Sequence, residues 1–258
     1  MNDPLDFDGK VVLVTGGGKG VGRGIAKRFL DAGATVVVCS RNEPDSLPAN
    51  GGRVATFITC NVKDTAQIQD CVDQVMTDFG RLDVLVNNVG GTPYMEAATA
   101  SPRYTANVIG LNLLSPMHFS EAVNRVMQTQ EEGGCIINIS SVSAVRPSPG
   151  TAAYGAAKAA LRELGASQAV LWGPRVRVNT IIVGLVKTEQ SHLHYGDEDG
   201  VAAVAATIPL ERMADPGDIG NACLYLASPL ARNASGSSLT VHGAGEKPRF
   251  LDAANSEH

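Results

Sequence analysis

The sequence has little of what a disulfide-built, membrane-spanning or nucleic-acid-binding chain needs. Aromatic residues are 5% of its 258 positions, with one Trp, so aliphatic side chains must fill any core. Its five cysteines, at 39, 60, 71, 135 and 223, are odd in number and form no CxxC pair. That argues against a disulfide framework or a thiol metal knuckle. They read as free buried thiols in a reducing, cytoplasmic compartment, and no metal site is expected. Cations are outnumbered: 21 Lys and Arg face 26 Asp and Glu, a net charge of −5. The clustered basic face of a nucleic-acid binder is therefore not expected. No run reaches the roughly 18 apolar residues of a membrane span. The acidic start, MNDPLDFDGK, has no apolar stretch of the signal-peptide kind. No repeat, low-complexity tract or linker divides the sequence, which reads as one domain over 1–258.

What is present is a pattern of alternation. Hydrophobic residues are 44% and charged residues 18%, enough for a sizeable core. Runs such as VVLVT, ATVVVCS, LDVLVN and CIINIS predict strands at 10–15, 35–40, 54–60, 83–87, 134–140, 176–182 and 237–241. Their near-continuous apolar character suits strands buried on both faces of a parallel sheet. Helical patterns fall between them, near 21–32, 65–79, 102–129, 152–172 and 216–228. This β/α alternation predicts a doubly wound α/β fold of about seven strands, with helices on both faces. The stretch 187–210 breaks the rhythm and reads as a lid of mobile helices. The polar tail, 246–258, is expected to fray.

The first strand runs into Thr15–Gly22, TGGGKGVG, at the start of a helical pattern. Glycines there admit positive φ and leave no Cβ in the way of a ligand. A helix N-terminus adds free N–H groups and the positive end of its dipole, which suits a pyrophosphate. The spacing is T-G-x-x-x-G-x-G, not the common dinucleotide G-x-G-x-x-G.

Further along, Tyr154 and Lys158 stand four apart in an Ala-rich helical run, on one helix face. An unperturbed phenol is a poor proton carrier at pH 7, and a neighbouring ammonium favours its phenolate. Ser141 ends a strand, where its hydroxyl can rise above the carboxyl edge of the sheet, the ligand edge of open α/β folds. The second strand ends in Cys39 and Ser40, followed by Arg41. An NAD-preferring site usually has a carboxylate at that strand end. Two cations, Arg41 and Lys19, with no acid beside them predict a 2′-phosphate and hence NADP(H), with NAD(H) as the weaker alternative. His192 and His194 have the spacing of a metal pair but no third ligand, and read as lid residues.

Taken in order, these motifs resemble the short-chain dehydrogenase/reductase family, in its short single-domain branch. NNVG at 87–90 is similar to the family's N-N-A-G. Asn112 stands in GLNLLSP. Ser141 precedes Tyr154 by thirteen residues, and YGAAK at 154–158 is Y-x-x-x-K. RVRVNTIIVGLVKT, PLERMADPGDIGNACLYLAS and ASGSSLTVHGAG complete a resemblance over 9–245. It departs from the family in three places. Val183-Gly184 replaces Pro-Gly, which could loosen that turn. His242-Gly243-Ala244 replaces D-G-G. Asn61-Val62 stands where Asp-Val often faces the adenine.

The resemblance implies a Rossmann-type fold and hydride transfer between a nicotinamide cofactor and a ketone or secondary alcohol. It implies Tyr154 as general acid/base, Ser141 holding the substrate oxygen, Lys158 lowering the phenol pKa, and Asn112 holding a water of the proton path. The expected cofactor residues are Gly16, Lys19, Gly20, Val21, Gly22, Ser40, Arg41, Asn61, Val62, Asn88, Gly90, Tyr154, Lys158, Gly184, Val186 and Thr188. Thr188 reads either as a nicotinamide contact or as a helix N-cap. The substrate wall is expected at 91–104, 142–150 and 185–210, with Arg146 read as a surface residue rather than as an anion contact. A 3-oxoacyl thioester and a steroid-like ketone both suit the resemblance, as does a homotetramer. A non-catalytic dinucleotide-binding protein is the alternative reading. An epimerase or dehydratase on the same core usually has a different glycine spacing.

Overall fold

The computed structural model describes residues 3–246 and Pro248. Most of the tail at 246–258 thus lies outside the described residues. The strands are β1 Val11–Thr15, β2 Thr35–Ser40, β3 Ala49–Asn50, β4 Arg53–Val54, β5 Thr56–Thr59, β6 Val84–Asn87, β7 Gly134–Ser141, β8 Val176–Val183 and β9 Ser238–Val241. The helices are α1 Gly20–Asp31, α2 Thr65–Phe79, α3 Pro102–Ile109, α4 Ser115–Met127, α5 Ala152–Trp172, α6 His192–Tyr195, α7 Glu198–Ala206 and α8 Pro216–Ala227. Seven strands form one sheet in the order β5-β2-β1-β6-β7-β8-β9. All of its pairings are parallel. Strands β3 and β4 form a small antiparallel hairpin that the sequence pattern does not announce.

Period-two alternation divides β1 between two cores. Val12 and Val14 pack with Ile25, Phe29, Ile219 and Leu226 from α1 and α8. Leu13 turns the other way, to Ile68 and Val72 of α2 and to Phe119 and Val123 of α4. Both faces of the sheet are therefore covered, as the unbroken apolar strands require. Chain order reverses between β1 and β6, so their carboxyl ends flank a crevice. Among the described residues, no helix is long and apolar enough to cross a membrane.

One predicted helix is broken. The stretch 102–129 divides into α3, a π-helical turn at Gly110–Leu114, and α4. Asn112 lies in the π turn with no solvent exposure. Its Nδ2 donates to the carbonyls of Val108 and Gly91, both at 2.9 Å, and its Oδ1 accepts from the Gly91 N–H at 2.9 Å. An inserted residue is the usual origin of such a turn, and a hydropathy period does not register it.

Candidate active site

Thr15 closes the crevice floor. Its buried hydroxyl accepts the N–H groups of Asn88 at 2.9 Å and Val89 at 3.1 Å, joining the ends of β1 and β6. The Asn88 amide donates back to the Thr15 carbonyl at 2.9 Å. Above this floor, Gly16 has φ +65°, and a Cβ there would come 2.9 Å from the Val89 Cγ2. Gly22 lies so close to the Gly16 carbonyl and the Asn88 amide that a Cβ would overlap both. The close backbone approach at Gly16 and Gly22 fits a pyrophosphate at the start of α1.

Opening from the loop is a cleft of ≈ 1510 Å³. At its glycine end are Gly16, Lys19, Gly20, Val21, Gly22, Ser40 and Arg41, with Asn61 and Val62 beside them. Asn88, Gly90, Ser141, Tyr154, Lys158, Gly184, Val186 and Thr188 line the remainder. Asn112 does not line it; it stands behind Gly90. Of the expected substrate wall, Gly91, Pro93, Tyr104, Glu189, Gln190 and His194 also line the cleft, none of 142–150 lines it, and Tyr94 is 72% exposed. Arg146 pairs with Glu246 at 2.9 Å.

Helix α5 is pinned to β7 around Lys158. The Ser140 hydroxyl donates to the Lys158 carbonyl at 2.9 Å, and the Lys158 Nζ donates to the Ile139 carbonyl at 2.8 Å. Lys158 is 3% exposed, and burial lowers its pKa to about 8. Its Nζ lies 5.7 Å from the centre of the Tyr154 ring. Gly90 makes room for this group: a Cβ there would stand 2.7 Å from the Asn112 Oδ1 and 2.9 Å from the Lys158 Nζ. The Tyr154 phenol is raised by burial, and its hydrogen bond with Ser141 lowers it in part. Burial and Ser141 are the two causes that act on this phenol. The ammonium is spent on the Ile139 carbonyl rather than on the phenol oxygen.

Other sequence expectations need correction. The adenosine end is not free of acid, since Glu43 and Asp45 from the loop after β2 line the same cleft as Lys19 and Arg41. Thr188 caps no helix: its Oγ1 accepts from the Gln190 N–H at 3.3 Å, and Ser191 stands before α6. The turn lacking proline is held by backbone. The Gly184 N–H donates to Val241 at 2.9 Å, Ala214 donates to Leu185 at 2.9 Å, and Lys187 donates to Ala214 at 2.9 Å. Two further residues escape a reading of the sequence. Arg23 donates to the Gly18 carbonyl at 3.0 Å and the Ser46 carbonyl at 2.8 Å, tying the glycine loop to the loop after β2. Glu189 of the lid accepts from the Gly20 N–H at 2.9 Å. Its place directly after Thr188 is the one signal available in sequence.

A family profile described as enoyl-(acyl carrier protein) reductase matches residues 16–244. The chain belongs to the short-chain dehydrogenase/reductase family of oxidoreductases. It is similar to a 3alpha-hydroxysteroid dehydrogenase of Mediterraneibacter gnavus, 32% identical over 91% of this chain and 96% of that one. It is also similar to a 3-oxoacyl-(acyl-carrier-protein) reductase of Escherichia coli, 33% identical over 93% and 98%. Among solved structures, the ligand-free aldohexose dehydrogenase of Thermoplasma acidophilum matches with a TM-score of 0.86 at 27% identity, covering 98% of each chain.

Proposed function

We propose that this oxidoreductase interconverts a ketone and a secondary alcohol, with NADP(H) preferred over NAD(H) and Tyr154 as general acid/base. One observation carries the reading: Ser141, Tyr154 and Lys158 line the cleft that the glycine loop opens, beside Gly90. Gly16, Gly20, Val21 and Gly22 would hold the pyrophosphate, Lys19, Ser40 and Arg41 the 2′-phosphate, and Asn61 and Val62 the adenine. Asn88, Gly90, Gly184, Val186 and Thr188 would seat the nicotinamide end. The nicotinamide supplies the hydride when bound. The raised phenol of Tyr154 holds its proton at neutral pH and gives it to the carbonyl oxygen, which the Ser141 hydroxyl holds in place. Lys158 would bind the ribose hydroxyls. Asn112, locked to Gly91 behind it, would anchor a water that returns the proton to Tyr154 through Lys158.

The names of the relatives support two substrate classes, a steroid-like ketone and a 3-oxoacyl thioester. A homotetramer is supported by apolar side chains on the solvent face of α5, where Val170 is 83% and Leu171 75% exposed. Five free cysteines support a cytoplasmic location.

Loss of NADPH absorbance with an acetoacetyl thioester, a steroid ketone and a small diketone tests the reading. Turnover of one of them is expected, falling about 10²- to 10⁴-fold in Tyr154→Phe while NADPH still binds. Turnover unchanged in that variant overturns Tyr154 as the acid/base. Tight NADPH binding with no turnover of any carbonyl favours the non-catalytic reading.

A further inference from the structure

The fold gathers three cysteines that the sequence keeps apart. Cys39 is the penultimate residue of β2, Cys60 follows the end of β5, and Cys71 lies on the second turn of α2. Strands β2 and β5 are parallel neighbours, so their carboxyl ends come side by side under α2. The three sulfurs lie within 4.8 Å of one another. All three residues are at most 1% exposed, and none is in a disulfide. Their surroundings are aliphatic, with Val37, Val62, Ile68 and Val72 in the same core.

A single buried cysteine is a small hydrophobe and calls for no ligand. Three buried sulfurs within 4.8 Å of one another make a ligand set, with the Cys60 thiol also donating to the Gln67 carbonyl at 3.5 Å. We propose that Cys39, Cys60 and Cys71 form a three-sulfur site for a soft, thiophilic metal ion of the monovalent-copper class. Sulfur-only ligation selects soft ions over hard ones. An ion about 2.3 Å from each of three sulfurs in one plane needs them roughly 4 Å apart, a contraction of under 1 Å from the limit observed.

Ligand number separates the soft candidates. Structural zinc takes four ligands in a tetrahedron. Among the described residues, no fourth His, Cys, Asp or Glu joins this group. Cysteine binds a metal as the thiolate, so binding releases protons from the group. Cys60 lies at the wall of the cleft, so the group stands next to it. The site does not depend on the cofactor reading, since none of its three ligands is an expected cofactor residue.

The test is an anaerobic competition between the reduced full-length protein and a coloured copper(I) chelator. Wild type is expected to withdraw one equivalent of copper(I) per chain. Cys39→Ser, Cys60→Ser and Cys71→Ser should each lose that equivalent, and Cys223→Ser, whose buried thiol lies outside the group, should keep it. X-ray absorption of loaded wild type needs no variant to fold, and should show three sulfur neighbours. No withdrawal by wild type, an equivalent kept when all three cysteines are serine, or nitrogen and oxygen neighbours around the copper would each overturn the site.

Discussion

The Glu189 carboxylate accepts the backbone N–H of Gly20 at 2.9 Å, joining the lid to the first residue of α1 across the cleft. A helix N-terminus favours an anion, and this lid supplies one from within the chain. The proposed pyrophosphate seeks the same N–H, so Glu189 and the cofactor compete. Glu189→Gln keeps an oxygen for the contact but removes the charge. The charge–dipole interaction is worth about 0.3–1 kcal/mol, so NADPH should bind roughly two- to fivefold more tightly in the variant. Fluorescence titration of NADPH reads this directly. Weaker binding in Glu189→Gln would instead make the carboxylate a support of the bound state.

Acid–base behaviour follows from the neighbours of Tyr154. Burial raises its phenol above the ordinary value, and the hydrogen bond with Ser141 lowers it in part. Alcohol oxidation needs the phenolate, so its rate should climb about tenfold per pH unit on the acid side of that pKa. Ser141→Ala removes the lowering contact. The phenol then rises further, and the alkaline shoulder of kcat/KM for oxidation should move to higher pH. A shoulder that stays put or moves down would mean that Tyr154 is not the titrating group.

Coenzyme choice rests on Arg41. It lines the proposed adenosine end of the cleft with Lys19, and Glu43 and Asp45 line the same cleft. If the guanidinium binds a 2′-phosphate, Arg41→Ala should lose a charge-assisted hydrogen bond of about 1.5–3 kcal/mol toward NADPH and little toward NADH. That is a roughly ten- to hundredfold change in the ratio of the two Kd values. Equal losses for both cofactors would remove the assignment.

The sequence makes regular elements legible and conceals contacts between distant residues. Helices α2 and α5 begin and end where the helical pattern places them, and Asp64 caps α2 through the Ala66 and Gln67 N–H groups. The π turn at Asn112 is hidden because one inserted residue barely disturbs a period. The β3–β4 hairpin is hidden because two-residue strands have no period at all. At the site, Ser141, Tyr154 and Lys158 are readable because one helix and one strand end carry them. Glu189 is not, since its partner Gly20 stands at the other end of the chain's order. The cysteine group is likewise invisible until β2, β5 and α2 meet.

Ala244 offers a test of backbone strain. Its φ is +77°, left-handed backbone without a glycine, at the last position of the family's D-G-G. Such a residue costs roughly 1–2 kcal/mol. Ala244→Gly relieves this, with a partial entropic offset in the unfolded chain. The melting temperature should rise by about 2 °C, read by calorimetry. A fall would mean that the Ala244 methyl contributes more by packing than its backbone costs.

The role proposed for Lys158 sets function against stability. Burial holds its pKa at about 8, below the usual 10.5 of an exposed lysine. Below pH 8 both folded and unfolded chains carry the proton, and the folded chain bears the full cost of a buried ammonium. Between pH 8 and 10.5 the unfolded chain binds more protons than the folded one, so stability rises with pH across that window. A shift of this size is on the order of 3 kcal/mol at pH 7. Lys158→Met removes the cost but also the ammonium's hydrogen bond to the Ile139 carbonyl, worth about 1.5–3 kcal/mol. The variant should therefore be inactive and about 1 kcal/mol more stable than wild type at pH 7, with the gain shrinking toward pH 10. Urea unfolding of both proteins at the two pH values measures it. A variant destabilised at both would show that the ammonium holds β7 and α5 together more strongly than its burial penalises the fold.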